Sequence, residues 1–557
     1  MTNRSHTANN SSADVDTAAD PPAADPSAAS ASETHKSSDD ASDFDHSLES
    51  LQTVLSVVVL RRDRFFLDHP LDSFPPDILP SDLEAERTAW LFKEIETALE
   101  SFNTAAAQMG LEPAQIGYSG APAFSQLGSS PPPHPQTQTA SSPHPRLFRP
   151  SAHQRGRFYL LRGQLFNCLS GYSPQAEQDL SKCLKLNPGA SEAWNCLGEC
   201  FWKKLDLENA RRCFEAGLSK ARSKELLLSL AQLLRQSGQA TDVQKSLQES
   251  LVLCKEALAS NLDDPLLWNG LGTAYLKLFF SNSLDSSDLK RALSAYNRAD
   301  SVMGDTINVD LYYNRATLFQ YTEQYDKAVQ DWRRVEKIDP CMTAGTSRSH
   351  DQGISRLSVS WNVNVERITE LLRTMAHEID RIKTSSDLWL DAGKLAGYTS
   401  LPAYFSAIKC TKVVTDISQL LEGCNPDAVF VCKIVASVRH NLALPGSFIA
   451  IDQSRNVFAL SVFNIDRAVF NSNDVLSVAL PILSVINAKY EDPTGTGEIP
   501  PPELRVEYKT IRIEHPRHVL LNERALRPSQ IACTELEIEN SVFLAANDVA
   551  PTSTALP

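Results

Sequence analysis

The stretch "EAWNCLGECFWKKLDLENARRCFEAGL", residues 192–218, decides how this chain folds. Numbering Trp194 as position 4 places Leu197 at 7, Gly198 at 8, Phe201 at 11, Ala210 at 20 and Phe214 at 24. The apolar residues recur at helical spacing on either side of a polar break, so the segment reads as two amphipathic helices joined by a tight turn. Glycine and alanine at 8 and 20 are where two helix axes cross closely. The large side chains at 4, 11 and 24 fill the space beside that crossing.

The pattern recurs. Tyr159, Gly163, Phe166, Ala176 and Pro188 take the same roles with one residue inserted between the helices. Trp268, Leu271, Gly272, Tyr275, Ala292, Tyr296 and Ala299 repeat them after an eight-residue insertion. Tyr312, Ala316, Phe319, Ala328, Trp332 and Pro340 repeat them with none, and a degenerate unit carries Leu227, Leu230, Ala231 and Leu234 at 4, 7, 8 and 11. This is the tetratricopeptide period of about 34 residues. Five stacked units are expected over 154–340, forming a superhelix with a concave inner face.

Working outward, residues 1–45 hold nine Asp/Glu against two Lys/Arg and few large apolar residues, so an unfolded acidic tail is expected. The rest of the net charge of −15 is spread along the chain, which argues against bulk attraction to nucleic acid. Residues 46–110 carry helical periodicity, with Ser81 and Glu84 spaced as a capping box. Residues 111–153 are rich in Pro, Ser and Gln and read as an unfolded insert. A linker and one helix are expected over 341–403. Over 404–545 the period changes: "AVFVCKIVASV", "SFIAIDQ", "NVFALSVFNID", "VLSVALPILSVI" and "VEYKTIRIEH" predict five strands of a small closed barrel of the OB type. Residues 546–557 read as a second unfolded tail. The fold class expected is therefore multidomain, an all-α tetratricopeptide superhelix followed by a small all-β OB barrel.

The sequence carries no phosphate-binding G-x-x-x-x-G-K-[ST], no G-x-S-x-G and no H-E-x-x-H. "GTGE" at 495–498 lies in a Pro-rich stretch and is not read as a phosphate cradle. Eleven cysteines lack paired spacing. Cys196 and Cys200 sit one turn apart without a second pair to complete a zinc site, so buried thiols in a reducing compartment are expected. No basic segment precedes an N-terminal apolar run, as a secretory signal requires. Together these features predict a soluble, intracellular, non-enzymatic protein without cofactor or metal and away from membranes.

Function is expected on the concave face, at positions 2, 5, 9, 12 and 13 of each first helix. These are Arg157, Leu160 and Gln164; Glu192, Asn195, Glu199 and Lys203; Glu225, Gln232 and Arg235; Asn269, Thr273 and Lys277; Asp310, Tyr313, Thr317 and Gln320. Asn195 and Asn269 share position 5, where an amide both donates to and accepts from an extended peptide. Arg235 suits a carboxylate and Asp310 a cation, so a short peptide of mixed charge is the expected ligand. The barrel strands are poor in stacking residues, and although Lys509, Arg512, Arg517 and His518 collect near its last strand, single-stranded nucleic acid is expected to bind weakly or not at all.

The units, with "YSPQAEQDLSKCLKLNP", "EAWNCLGECFWKK", "LSAYNRAD" and "DLYYNRATLFQY", followed by one OB barrel, resemble the tetratricopeptide repeat protein 5 family, also called stress-responsive activator or Strap. The resemblance covers roughly 155–340 and 425–525, with a weaker helical match at 46–110. It implies two activities, one in the cytoplasm and one in the nucleus. One is recognition of the Met-Arg-Glu-type N-terminus of nascent tubulin on the ribosome, triggering tubulin mRNA decay. The other is a nuclear scaffold bridging an acetyltransferase coactivator in the DNA-damage response. The family's groove arginine falls on Arg235, its groove aspartate on Asp310, and its ribosome-facing lysines on Lys182 and Lys185. Where the family carries a further groove acid after its last Asp-Pro, this chain reads "DPCMTAGTSRSH" and has none.

Overall fold

A computed structural model of the chain describes residues 28–531 apart from 76–77, 116–149, 237–242, 284, 305–306, 352–353, 386–394, 396–400, 443 and 492–502. The acidic tail up to residue 27, most of the Pro/Ser-rich insert, "GTGE" and the C-terminal tail lie outside the described residues. Helical backbone begins at Ala28, inside the segment expected to stay unfolded, because α1 (Ala28–Asp63) is one continuous helix. A short α2 (Phe65–Asp68) leads to α3 (Pro80–Gln108). The expected capping box at Ser81 does not form. The helix starts two residues earlier than a Ser81 cap requires, at Pro80, whose missing N–H suits a first turn, and the preceding Leu79 offers no side-chain cap. A capping box forms instead at Ser151, whose hydroxyl accepts from the Gln154 N–H at 3.1 Å while the Gln154 side chain accepts from the Ser151 N–H at 3.1 Å.

Five helix pairs follow: α4 (Ala152–Asn167) with α5 (Pro174–Leu186), α6 (Ser191–Lys203) with α7 (Leu207–Lys220), α8 (Lys224–Gln236) with α9 (Val243–Ser260), α10 (Pro265–Leu278) with α11 (Ser286–Val302), and α12 (Val309–Tyr321) with α13 (Tyr325–Ile338). The reason for the glycine at position 8 is visible in the packing. A Cβ built on Gly198 meets a Phe214 ring carbon at 2.3 Å, and one on Gly272 meets Tyr296 at 2.6 Å. Position 8 is therefore filled by the ring at position 24. Gly198→Ala is expected to destabilise the chain by about 1–3 kcal/mol through overpacking, read as a lower urea midpoint with unchanged circular dichroism; an unchanged midpoint rejects the packing account.

The first and last units depart from the inner ones at position 7, which is leucine in the three middle units. Arg162 grips Asp179 through Nε and Nη2 at 2.6 and 3.0 Å, and Arg315 grips Asp331 through the same atoms at the same distances. Both pairs are buried, and each guanidinium also lies over an aromatic ring of its own unit. Terminal repeats have another repeat on one side only and meet a different kind of element on the other, so atypical residues there are expected.

The segment expected to be linker holds a two-stranded hairpin, β1 (Gly345–Asp351) with β2 (Ile354–Ser360), before the expected helix, α14 (Val363–Thr384). The barrel sheet then comprises β3 (Lys412–Val414), β4 (Gly423–Cys424), β5 (Ala428–Val438), β6 (Gly446–Ile451), β7 (Val457–Val462), β8 (Val475–Ala479), β9 (Ile482–Glu491), β10 (Glu503–Ile513), β11 (Val519–Leu521) and β12 (Arg524–Ala525). Four of the five expected strands appear as single strands. The fourth is two, because Leu480 takes φ 52° and Pro481 has no N–H to give the ladder. That break matters to topology. Its first half pairs with β5 and its second half with β10, while β10 runs parallel to β7. One kinked segment thus joins the two sides of the sheet and closes the barrel around Phe430, Phe448, Phe458 and Leu460.

The barrel docks on the last repeat through β10. Arg512 and Glu323 are both buried, and Arg512 Nη1 lies 3.3 Å from Glu323 Oε2. These atoms are close enough for an ion pair but are not aligned as a hydrogen bond. The guanidinium is stacked over the rings of Tyr321 and Phe463 at 4.7 and 4.0 Å. Arg512, expected among the cations of the barrel's last strand, is therefore part of the domain junction. Among the others, Lys509 and Arg517 are exposed.

Candidate functional site

The inner helices α4, α6, α8, α10 and α12 line the concave face. At its centre stands Arg235, near the C-terminal end of α8. It is 6% exposed, and its Nη1 donates to Ser250 Oγ at 3.0 Å and lies 3.6 Å from Cys254 Sγ. Nε and Nη2 are buried and find no partner among the described residues. These two donors form the side edge of the guanidinium, the edge that takes a carboxylate with two parallel hydrogen bonds. A buried cation held only by a hydroxyl and a thiol is costly for a fold.

Two acceptors accompany it. Asn195 donates from Nδ2 to Glu199 Oε1 at 2.8 Å, which fixes the amide's orientation because a carboxylate only accepts. Its Oδ1 is left buried and unpartnered, as is Oδ1 of Asn269, a residue 9% exposed. On the same helix Thr273 is buried and donates to the Asn269 carbonyl at 2.9 Å, while Lys277 follows one turn on and is half-buried. Asp310, 8% exposed, opens α12. Arg235 and Asp310 share one electrostatic environment: burial pushes the Tyr296 hydroxyl up, Arg235 opposes that rise and Asp310 adds to it.

Glu199 and Lys203 are tied into the wall of the site. Lys203 Nζ donates to the Asn167 carbonyl at 2.6 Å, to Asn167 Oδ1 at 3.0 Å and to the Leu169 carbonyl at 2.8 Å. All three ammonium donors are thus used at the end of α4. Glu199 accepts from Asn167 Nδ2 at 2.8 Å as well as from Asn195. Burial raises its carboxyl, and Lys203 with the two amides pulls it partly back. Asn167, the hub of this network, was not singled out from sequence, although it occupies position 12 of its unit, as Arg235 does of its own. Tyr296 was read only as a packing residue.

Lys182 and Lys185 lie on α5. Lys185 is exposed, and Lys182 stands 3.6 Å from Asp179 and over the Tyr159 ring at 5.3 Å. The Cys196 and Cys200 thiols are pushed up by burial, Cys200 to about 12, which keeps them protonated. Among the described residues no helix is long and apolar enough to cross a membrane.

The family model described as the tetratricopeptide repeat protein 5 OB fold domain matches residues 411–535. Human tetratricopeptide repeat protein 5 is 33% identical over 320 residues, spanning 57% of this chain and 70% of that protein. The chain belongs to the tetratricopeptide repeat protein 5 family. The mouse member of the family is 32% identical over 320 residues, with the same coverage. Among solved structures, YrrB, a TPR protein with an unusual peptide-binding site, aligns with 19% identity and a TM-score of 0.24 over 34% of this chain and 87% of that one. Membership accords with the helical repeats and the barrel, and with a repeat-based protein-binding scaffold.

Proposed function

We propose that this member of the family is a peptide-reading adaptor whose groove takes the Met-Arg-Glu-type N-terminus of nascent tubulin at the ribosome and thereby triggers tubulin mRNA decay. The observation that carries the reading is the set of buried, unpartnered polar atoms on three inner helices: Asn195 Oδ1, Arg235 Nε and Nη2, and Asn269 Oδ1. An extended peptide supplies what they lack. Its backbone N–H groups satisfy the two amide oxygens, and its glutamate satisfies the guanidinium edge. Asp310 then receives the peptide's arginine or its amino terminus. Calorimetry with a Met-Arg-Glu-Ile peptide and a scrambled control tests the reading. Binding of the first alone supports it, and equal affinity for both rejects sequence reading.

Ribosome attachment is assigned to Lys182 and Lys185, which sit three residues apart on one face of α5. Changing both to glutamate is expected to abolish co-sedimentation with ribosomes while leaving peptide affinity unchanged. Unchanged sedimentation rejects that assignment.

A further inference from the structure

The N-terminal helices do more than extend the stack. The C-terminal end of α3 packs on the first unit, where Phe102 meets Phe158 with ring centroids 6.1 Å apart. Its N-terminal end reaches the last unit: Arg87 Nη1 donates to Asp339 Oδ2 at 2.8 Å, and Cys341 Sγ lies 3.8 Å from the Pro80 carbonyl. Phe65, Phe66 and Leu83 form one apolar cluster that Cys341 and Trp361 pack against. With 29 residues, α3 is about 43 Å long at 1.5 Å per residue, whereas α4 with 16 is about 24 Å. The overhang is what spans from the first unit to the last.

Units one and five are the two ends of an arc, so an element touching both closes its open side. Alongside, α1 follows the first inner helix, with Asp45 accepting from Gln154 and Gln52 from Arg157. The charge of Arg62, near its end, acts on Cys168 and Glu199 at the groove wall.

We infer that the α1–α3 hairpin makes the groove a ring, and that this ring selects a free chain end over an internal segment because only a chain end can be threaded through it. The inference rests on the peptide-reading function proposed above. It makes the seam around Arg87, Asp339 and Cys341 a determinant of specificity although none of the three belongs to the peptide site.

Three ligands and two proteins test it by calorimetry. The ligands are a linear Met-Arg-Glu-Ile peptide, the same peptide acetylated at its amino terminus, and the same four residues grafted into a loop of a folded carrier protein. The proteins are the full chain and its Arg87→Glu/Cys341→Asp variant, which brings two new acids to the seam beside Asp339. The full chain is expected to bind the acetylated peptide but to bind the loop at least roughly tenfold more weakly. The variant is expected to keep its affinity for the linear peptide, which shows that it is folded, and to gain the loop. The loop binding the full chain as well as the acetylated peptide does overturns the ring and leaves the groove reading intact. The loop staying excluded from a variant that binds the linear peptide also overturns it. Failure of the linear peptide to bind the full chain removes the groove reading, and this inference with it.

Discussion

Arg235→Ala is expected to weaken binding of a Met-Arg-Glu-Ile peptide at least tenfold, since losing a buried charged hydrogen-bond partner costs about 2–5 kcal/mol in affinity. The same change is expected to leave the fold as stable as before, or more so. In the free protein the guanidinium has no acidic partner among the described residues, and its removal strands no neighbour, because Ser250 Oγ still donates to the Ala231 carbonyl at 2.8 Å. Loss of binding without loss of stability distinguishes a ligand-binding residue from a packing one. Calorimetry and a urea titration on one preparation read both quantities. Full affinity in the alanine variant, or a binding loss that only tracks unfolding, rejects the assignment.

Arg512→Ala is expected to lower stability by about 3–5 kcal/mol, the usual effect of removing one member of a buried ion pair. The alanine leaves the Glu323 carboxylate, whose side chain is 2% exposed, without the countercharge of Arg512. Arg512 Nε also donates to Glu514 Oε1 at 2.5 Å, so the double variant Arg512→Met/Glu323→Gln is expected to recover part of the loss: it removes the buried Glu323 charge and leaves Glu514, whose side chain is 20% exposed, to water. Urea denaturation of the full chain measures both. Loss of less than about 1 kcal/mol in the single variant indicates that water reaches the junction and rejects the account.

The helical and strand periods made most of the architecture legible. Both the crossing at positions 8 and 20 and the β-branched runs of β5, β6, β7 and β10 between turn residues are local features that a sequence states directly. The groove residues were legible for the same reason: once Trp194 fixes the register, positions 2, 5, 9 and 12 follow, and Arg235, Asn195, Asn269 and Asp310 lie where that register puts them. Asn167 obeys the same rule, at position 12 of the first unit.

The repeat register, the barrel strands and the inner face follow from local periodicity and composition alone. The contacts between residues that no period relates come from the assembled fold. Arg87 and Asp339 meet across 252 residues, Arg512 is spent at the junction with Glu323, and the kink at Leu480 and Pro481 sends one segment to both sides of a sheet. Periodicity says which face of an element is buried; which distant charge or edge meets that face depends on the curvature of the whole stack, a sum of small rotations to which every unit contributes.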